Sequence, residues 1–178
     1  MADLQDSRDM LLPPELVSLA RTVIETNRAL GRRIAVAESC TGGLVSAALT
    51  EIPGSSSVFE AGFITYSNTL KNKLLGVSND VLETFGAVSI ATAWAMAQGA
   101  LTRSEADVAV SITGIAGPDG GSEMKPVGTV VFARAERDNE SENVVADLRR
   151  FPNEGRASIR LQAALCALEL LLPEDLGA

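Results

Sequence analysis

A chain of 178 residues fits one domain of ordinary size, long enough to bury a core without disulfides or a structural metal. Its net charge of −8 argues against a surface for duplex nucleic acid, which needs clustered Lys and Arg. Histidine is absent, which excludes a Ser-His-Asp triad and the usual histidine-bearing zinc sites, and the two cysteines, Cys40 and Cys166, match no metal-ligand spacing.

No basic start leads into an apolar stretch with a small-residue cleavage site, and no apolar window is long enough to cross a bilayer. Reduced cysteines in a cytoplasmic protein are therefore expected. Residues 1–12 are polar or irregular and are expected to fray, leaving a single domain over residues 13–174. Pro14 stands where a helix would begin, and Leu16, Leu19, Ala20, Val23, Ala29 and Leu30 mark one apolar stripe before Gly31 stops it. Residues 33–37 read as a short strand buried on both faces.

That strand runs into Ala37-Glu38-Ser39-Cys40-Thr41-Gly42-Gly43, and a helix is expected over residues 41–51. A hydroxyl-rich turn with two glycines in this setting points Ser39 and Thr41 toward solvent and leaves the first backbone N–H groups of the helix without partners. Those donors and the helix dipole suit an anion, or charge developing on a carbonyl oxygen. The same composition also serves a plain helix cap and tight turn. Pro53-Gly54-Ser55-Ser56-Ser57 is a turn cluster, and residues 59–67 favour a strand through Phe63, Ile64, Thr65 and Tyr66.

Asn68 is placed to cap a short helix to Leu75, Ser78 or Asn79 another before Gly86, and Ser89 a longer one to about Arg103. The last is alanine-rich and nearly all apolar around Trp94 and Gly99, which points to burial against the sheet or a neighbouring subunit, most simply in a dimer. Residues 107–112 form the next buried strand and lead into a second glycine-rich loop, Thr113-Gly114-Ile115-Ala116-Gly117-Pro118-Asp119-Gly120-Gly121. Residues 126–135 and 144–151 read as an antiparallel hairpin around a charged turn at 136–142, and a final helix opens near Asn153 and stops at Pro173. This order gives an α/β fold, a single-domain three-layer α/β/α sandwich with a mixed sheet. Both glycine-bearing loops follow apolar strands, so both can reach the same sheet edge.

Without histidine, a catalytic serine needs another base, and lysine is the usual substitute. Tyr66 and Lys71 can both project from one strand end toward Ser39, although Lys73 has an equal claim by composition. Lysine titrates near ~10.4, so a base useful at neutrality needs its pKa lowered by roughly 3, about 4 kcal/mol of differential stabilisation. Partial burial can do that.

Three blocks, Ala37 to Gly43, Phe63-Ile64-Thr65-Tyr66-Ser67-Asn68 with Lys71, and Thr113 to Gly121 with Lys125-Pro126-Val127-Gly128-Thr129-Val130, closely resemble the CinA C-terminal-domain family in the right order. The likeness spans roughly residues 14–172, and the resemblance is to the free-standing form, expected without the extra N-terminal domain of longer CinA proteins. The resemblance implies hydrolysis of the carboxamide of nicotinamide mononucleotide (NMN) to nicotinate mononucleotide and ammonia, with no metal and no organic cofactor. It matches Ser39 to the nucleophile, Tyr66 and Lys71 to an activating pair, and Thr113 and Arg156 to further active-site positions. Backbone donors near Thr41, Gly42 and Gly43 would hold the oxyanion, while the loop from Gly114 to Gly121, which includes Gly117, would hold the phosphate with Arg156 or Arg160.

Two other readings fit the same residues. One is a nucleotide-binding module without chemistry, linked to competence or recombination. The other is a metal-dependent phosphohydrolase using Asp107, Asp119 or Glu123.

Overall fold

The structure is a computed structural model and describes residues 10–137 and 145–173. Most of the N-terminal segment expected to fray, and most of the charged hairpin turn at 136–142, lie outside the described residues.

Five strands, β1 (Ile34–Glu38), β2 (Phe59–Ile64), β3 (Val108–Gly114), β4 (Thr129–Glu136) and β5 (Val145–Arg150), form one sheet in the order β2-β1-β3-β4-β5. β1 runs parallel to both β2 and β3, whereas β4 is antiparallel to β3 and β5 to β4, so the sheet is mixed. Among the described residues, six α-helices cover it: α1 (Pro14–Ala29), α2 (Leu44–Thr50), α3 (Asn68–Leu75), α4 (Asn79–Phe85), α5 (Ile90–Thr102) and α6 (Arg156–Leu170).

The period of two along the strands divides the core into two layers. Ile34, Val36, Val110, Ile112, Val130 and Phe132 face α1, α2 and α6, where each fully buried aliphatic or aromatic side chain is worth about 1.5–3 kcal/mol. Ala35, Ala37, Ala109, Val131, Ala133 and Ala135 face α5, flanked by α3 and α4. Because that second face is nearly all alanine, α5 lies close to the sheet. Gly99 on α5 then meets α3, where an added Cβ would collide with the Leu75 carbonyl oxygen. The sheet thus takes the inner side of the alanine-rich helix, and Trp94 is left half-buried beside an apolar groove.

Several element boundaries differ from the sequence expectation: β2 ends at Ile64 and does not run on to 67, β3 continues to Gly114, and β4 starts at Thr129 and not at 126. Ser67, not Asn68, caps α3: its backbone is still extended and its hydroxyl accepts from the Leu70 N–H. α2 starts at Leu44 and not at 41, because Gly42 and Gly43 take left-handed dihedrals (φ 60 and 94) that break the helix. α6 starts at Arg156, since Pro152 and the left-handed Gly155 hold the preceding residues irregular. Among the described residues, no helix is long and apolar enough to cross a membrane.

One topological feature positions the site. From β1 the chain goes through α2 to β2 on one side, then through α3, α4 and α5 to β3 on the other. The C-terminal ends of β1 and β3 therefore flank a switch point, where loops diverge and leave a crevice.

Candidate active site

The turn after β1 is fixed from both sides. The Ser39 N–H donates to the Ile112 carbonyl of β3 (2.9 Å), and the Gly42 N–H donates back to the Ser39 carbonyl (3.1 Å). The reversal itself is made by Gly42 and Gly43, and no other residue type in the described chain has a positive φ. Ser39 needs no strained backbone here.

Glu38 is fully buried at the end of β1. Its Oε2 accepts from the N–H groups of Gly43 (2.9 Å) and Val45 (3.2 Å), and its Oε1 from the N–H (2.8 Å) and hydroxyl (2.7 Å) of Ser46. The expectation of unpartnered donors at the start of α2 is therefore not met: a carboxylate within the chain already occupies the anion site of that helix. The Gly42 and Gly43 donors expected to face a ligand are both engaged. Only the N–H groups of Cys40 and Thr41 lack a hydrogen-bonded oxygen in this turn, and both face the Cys40 sulfur. Neither Ser39 nor Thr41 points to solvent as expected: Ser39 is buried at 8% exposed and opens only onto the cleft, while the Thr41 side chain is fully buried and its hydroxyl makes no hydrogen bond.

Lys71 reaches this turn from α3. Lys71 and Leu75, one helical turn apart, share the inner face of α3, while Lys73 stands exposed on the outer one. The Lys71 side chain is 1% exposed; its Nζ lies 3.0 Å from Ser39 Oγ and donates to the Thr65 carbonyl at 2.8 Å. No carboxylate pairs with it, and burial holds its pKa below the ordinary lysine range, with only a small opposing pull from Cys40. A neutral amine suits this geometry: one N–H satisfies Thr65 while the lone pair faces the serine proton. Beside Ser39, burial pushes the Cys40 thiol up to about 11, so it stays protonated at neutral pH.

The cleft in front of Ser39 has a volume of about 230 Å³ and is also lined by Tyr66, Asn68, Lys71, Thr113, Gly114 and Arg156. Thr113 is buried at the end of β3, where its hydroxyl donates to the Ala87 carbonyl (2.8 Å) and ties down the loop between α4 and α5. Gly114 lies against β4; a Cβ there would come within 2.9 Å of the Thr129 carbonyl oxygen. Tyr66 is 60% exposed, and its hydroxyl accepts from Arg156 Nη2 (3.0 Å) and not from Lys71. Arg156 also donates from Nη1 to the Gly117 carbonyl (2.8 Å), so it joins the loops after β2 and β3 across the cleft mouth. Arg160 points elsewhere, donating to the Thr41 carbonyl (2.8 Å) from behind the turn.

The carboxylates of the metal-dependent reading do not converge. Asp107 precedes β3 at the sheet edge opposite the cleft and accepts the Arg33 N–H (2.7 Å), while Asp119 and Glu123 stand exposed on the second glycine loop. Among the described residues, no group of three His, Cys, Asp or Glu is placed to hold a metal ion. The sequence reading missed the Thr65 carbonyl and the Asn68 wall, and it left Glu38 open between orienting the turn or Lys71 and standing beside Ser39 as a plain charge. Its partners were not legible because capping signatures place the cap next to the helix, whereas here two left-handed glycines fold the Gly43 amide back to a residue five positions upstream.

Fold and site together define a three-layer α/β protein with a serine–lysine pair at a topological switch point. The model of the CinA C-terminal domain matches residues 16–174, and the chain belongs to that family. It is 50% identical over 147 residues to the nicotinamide-nucleotide amidohydrolase PncC of Enterobacter agglomerans, covering 83% of this chain and 87% of the relative. To the nicotinamide-nucleotide amidohydrolase PncC of Escherichia coli K12 it is 47% identical, covering 88% and 93%. Among solved structures, the competence/damage inducible protein CihA from Agrobacterium tumefaciens superposes with a TM-score of 0.87 at 50% identity, over 91% of this chain and 96% of that one.

Proposed function

We propose that this chain is a nicotinamide-nucleotide amidohydrolase that converts NMN and water to nicotinate mononucleotide and ammonia, with no metal or organic cofactor. The observation that carries the reading is the buried, unpaired amine of Lys71 at 3.0 Å from Ser39 Oγ, in a chain without histidine. Identities of 50% and 47% to the two PncC amidohydrolases, over most of each chain, support the substrate class.

In this reading Lys71, neutral at rest, takes the Ser39 proton as Oγ attacks the carboxamide carbon. Positioned general bases typically contribute 10²–10⁴-fold. The oxyanion that forms is held by the N–H groups of Cys40 and Thr41, each such donor being worth about 3 kcal/mol. The Lys71 ammonium returns the proton to the departing amine as the C–N bond breaks, and ammonia leaves an acyl-serine ester. Water, deprotonated by the same amine, cleaves that ester and releases the carboxylate. Arg156 and the loop from Gly114 through Gly117 bind the phosphate, and Tyr66 holds the guanidinium in place through its hydroxyl. Thr113 fixes the loop that walls the cleft.

The reading includes a homo-oligomer, most simply a dimer, because Phe85, Ile90 and Leu148 stand exposed around Trp94 in an apolar groove; small-angle scattering of the purified protein tests it. The activity itself is tested by ammonia release from NMN and from free nicotinamide, measured in parallel with and without EDTA. NMN turnover that resists EDTA and disappears in Ser39→Ala is expected. Binding of NMN with no ammonia over hours would instead favour a nucleotide-binding module.

A further inference from the structure

Ser39 and Lys71 react only if the turn that carries Ser39 stays still; the Ser39 and Gly42 N–H bonds and the Arg160 contact to Thr41 hold part of it, and its glycine side needs more. Gly42 and Gly43 are the residues least able to hold a fixed backbone, and α2 behind them is only 7 residues long. Thr41 contributes no side-chain hydrogen bond. The glycine side is held by Glu38, whose two oxygens accept four hydrogen bonds from Gly43, Val45 and Ser46 while the carboxylate is fully buried. Its own backbone is locked in the sheet between β2 and β3, and its carbonyl accepts the N–H of Thr65, the residue whose carbonyl holds Lys71. One residue therefore ties the nucleophile's turn to α2 through its side chain and to the lysine's anchor through its main chain.

The geometry points to Glu38 as the positioning residue of the hydrolysis: it holds Ser39 Oγ against Lys71 Nζ, and by occupying the donors of α2 it leaves the Cys40 and Thr41 amides as the oxyanion donors. The inference rests on the hydrolase reading above. It assigns Glu38 no contact with substrate and no proton. The Glu38 carboxylate is engaged by Gly43, Val45 and Ser46, whereas the Lys71 amine contacts Ser39 and the Thr65 carbonyl, so the role of Glu38 is mechanical and not an ion pair with the base.

The test compares wild type, Glu38→Gln and Ser46→Ala by kcat and KM for NMN, by calorimetric binding of nicotinate mononucleotide, and by the pH dependence of kcat. A carboxamide cannot accept all four hydrogen bonds, and because displacements near 1 Å cost about 10²-fold, kcat of Glu38→Gln should fall by about 30-fold or more. KM, product affinity and the midpoint of the alkaline rise in kcat should remain those of wild type. Ser46→Ala removes one of the four bonds outside the cleft and should lower kcat about threefold by the same mechanism, which decides the matter if Glu38→Gln does not fold. Three results overturn the inference: kcat near wild type in the folded variant, product affinity lost in step with kcat, or a displaced pH midpoint. Absence of ammonia from wild type with NMN instead overturns the hydrolase reading.

Discussion

Replacing Lys71 by Met keeps a long, flexible side chain and removes only the amine. The amine lies 3.0 Å from Ser39 Oγ, and among the described residues no other basic side chain touches that hydroxyl, so none of them can take over the proton. Loss of a positioned base predicts a fall in kcat/KM of about 10²–10⁴-fold, or about 3–5 kcal/mol of transition-state stabilisation. The same variant should alter stability in a pH-dependent way whose sign follows from burial. An unfolded lysine titrates near ~10.4, and in the folded protein desolvation lowers the value. Between the two values the unfolded chain binds more protons, so this group's contribution to stability rises with pH; below the folded value the penalty for burying the charge is fully present. Thermal melts of wild type and Lys71→Met, taken from about pH 6 to about pH 9, should move in favour of wild type as pH rises. A constant offset of about 1–3 kcal/mol from the Thr65 carbonyl left without its donor is superimposed. An ammonia assay at matched protein concentration completes the experiment. A variant that kept more than about a tenth of wild-type turnover, or a wild-type kcat/KM that fell between about pH 6 and pH 8, would refute the amine-base argument.

Three further outcomes are expected. Arg156→Ala removes a charged donor from both Gly117 and Tyr66 and should raise KM for NMN about 10–100-fold with kcat retained, whereas Tyr66→Phe should change KM only a few-fold; steady-state kinetics on both variants checks this. Because the Cys40 thiol is pushed up to about 11, its contribution to stability is present at neutral pH and is lost as pH rises through that value, and iodoacetamide should label Cys40 in the native protein near pH 8 far more slowly than in urea, as mass spectrometry can follow. Gly99→Ala forces a methyl group onto the Leu75 carbonyl and should destabilise the protein by about 1–3 kcal/mol, read from the urea midpoint.

Hydrophobic pattern and punctuation made the architecture legible. The apolar run before Ser39 and the second before Thr113 are strands because every position in β1, and nearly every one in β3, is buried, which alternation-free apolar sequence announces. The turn around Ser39 was equally visible as a strand-to-helix junction. Less visible was what happens inside it. A glycine pair reads as flexible, and only its left-handed dihedrals reveal that the helix begins later and that its amides turn back onto Glu38. Likewise Tyr66 and Lys71 share a short segment and look like a pair, yet the strand end at residue 64 sends one to the cleft mouth and the other under it.

The amino-acid sequence alone determined that this would be an α/β sandwich, that two glycine-bearing loops would follow buried strands, and that any serine chemistry would need a base other than histidine. Periodicity, capping residues and composition act over a few neighbours and can be read without coordinates. Which lysine faces the serine, which arginine guards the cleft, and which donors remain for an oxyanion were decided by the tertiary structure. Ser39 and Lys71 are 32 positions apart, and Arg156 meets Tyr66 across 90, so their encounters depend on strand order and helix rotation, which no local pattern encodes.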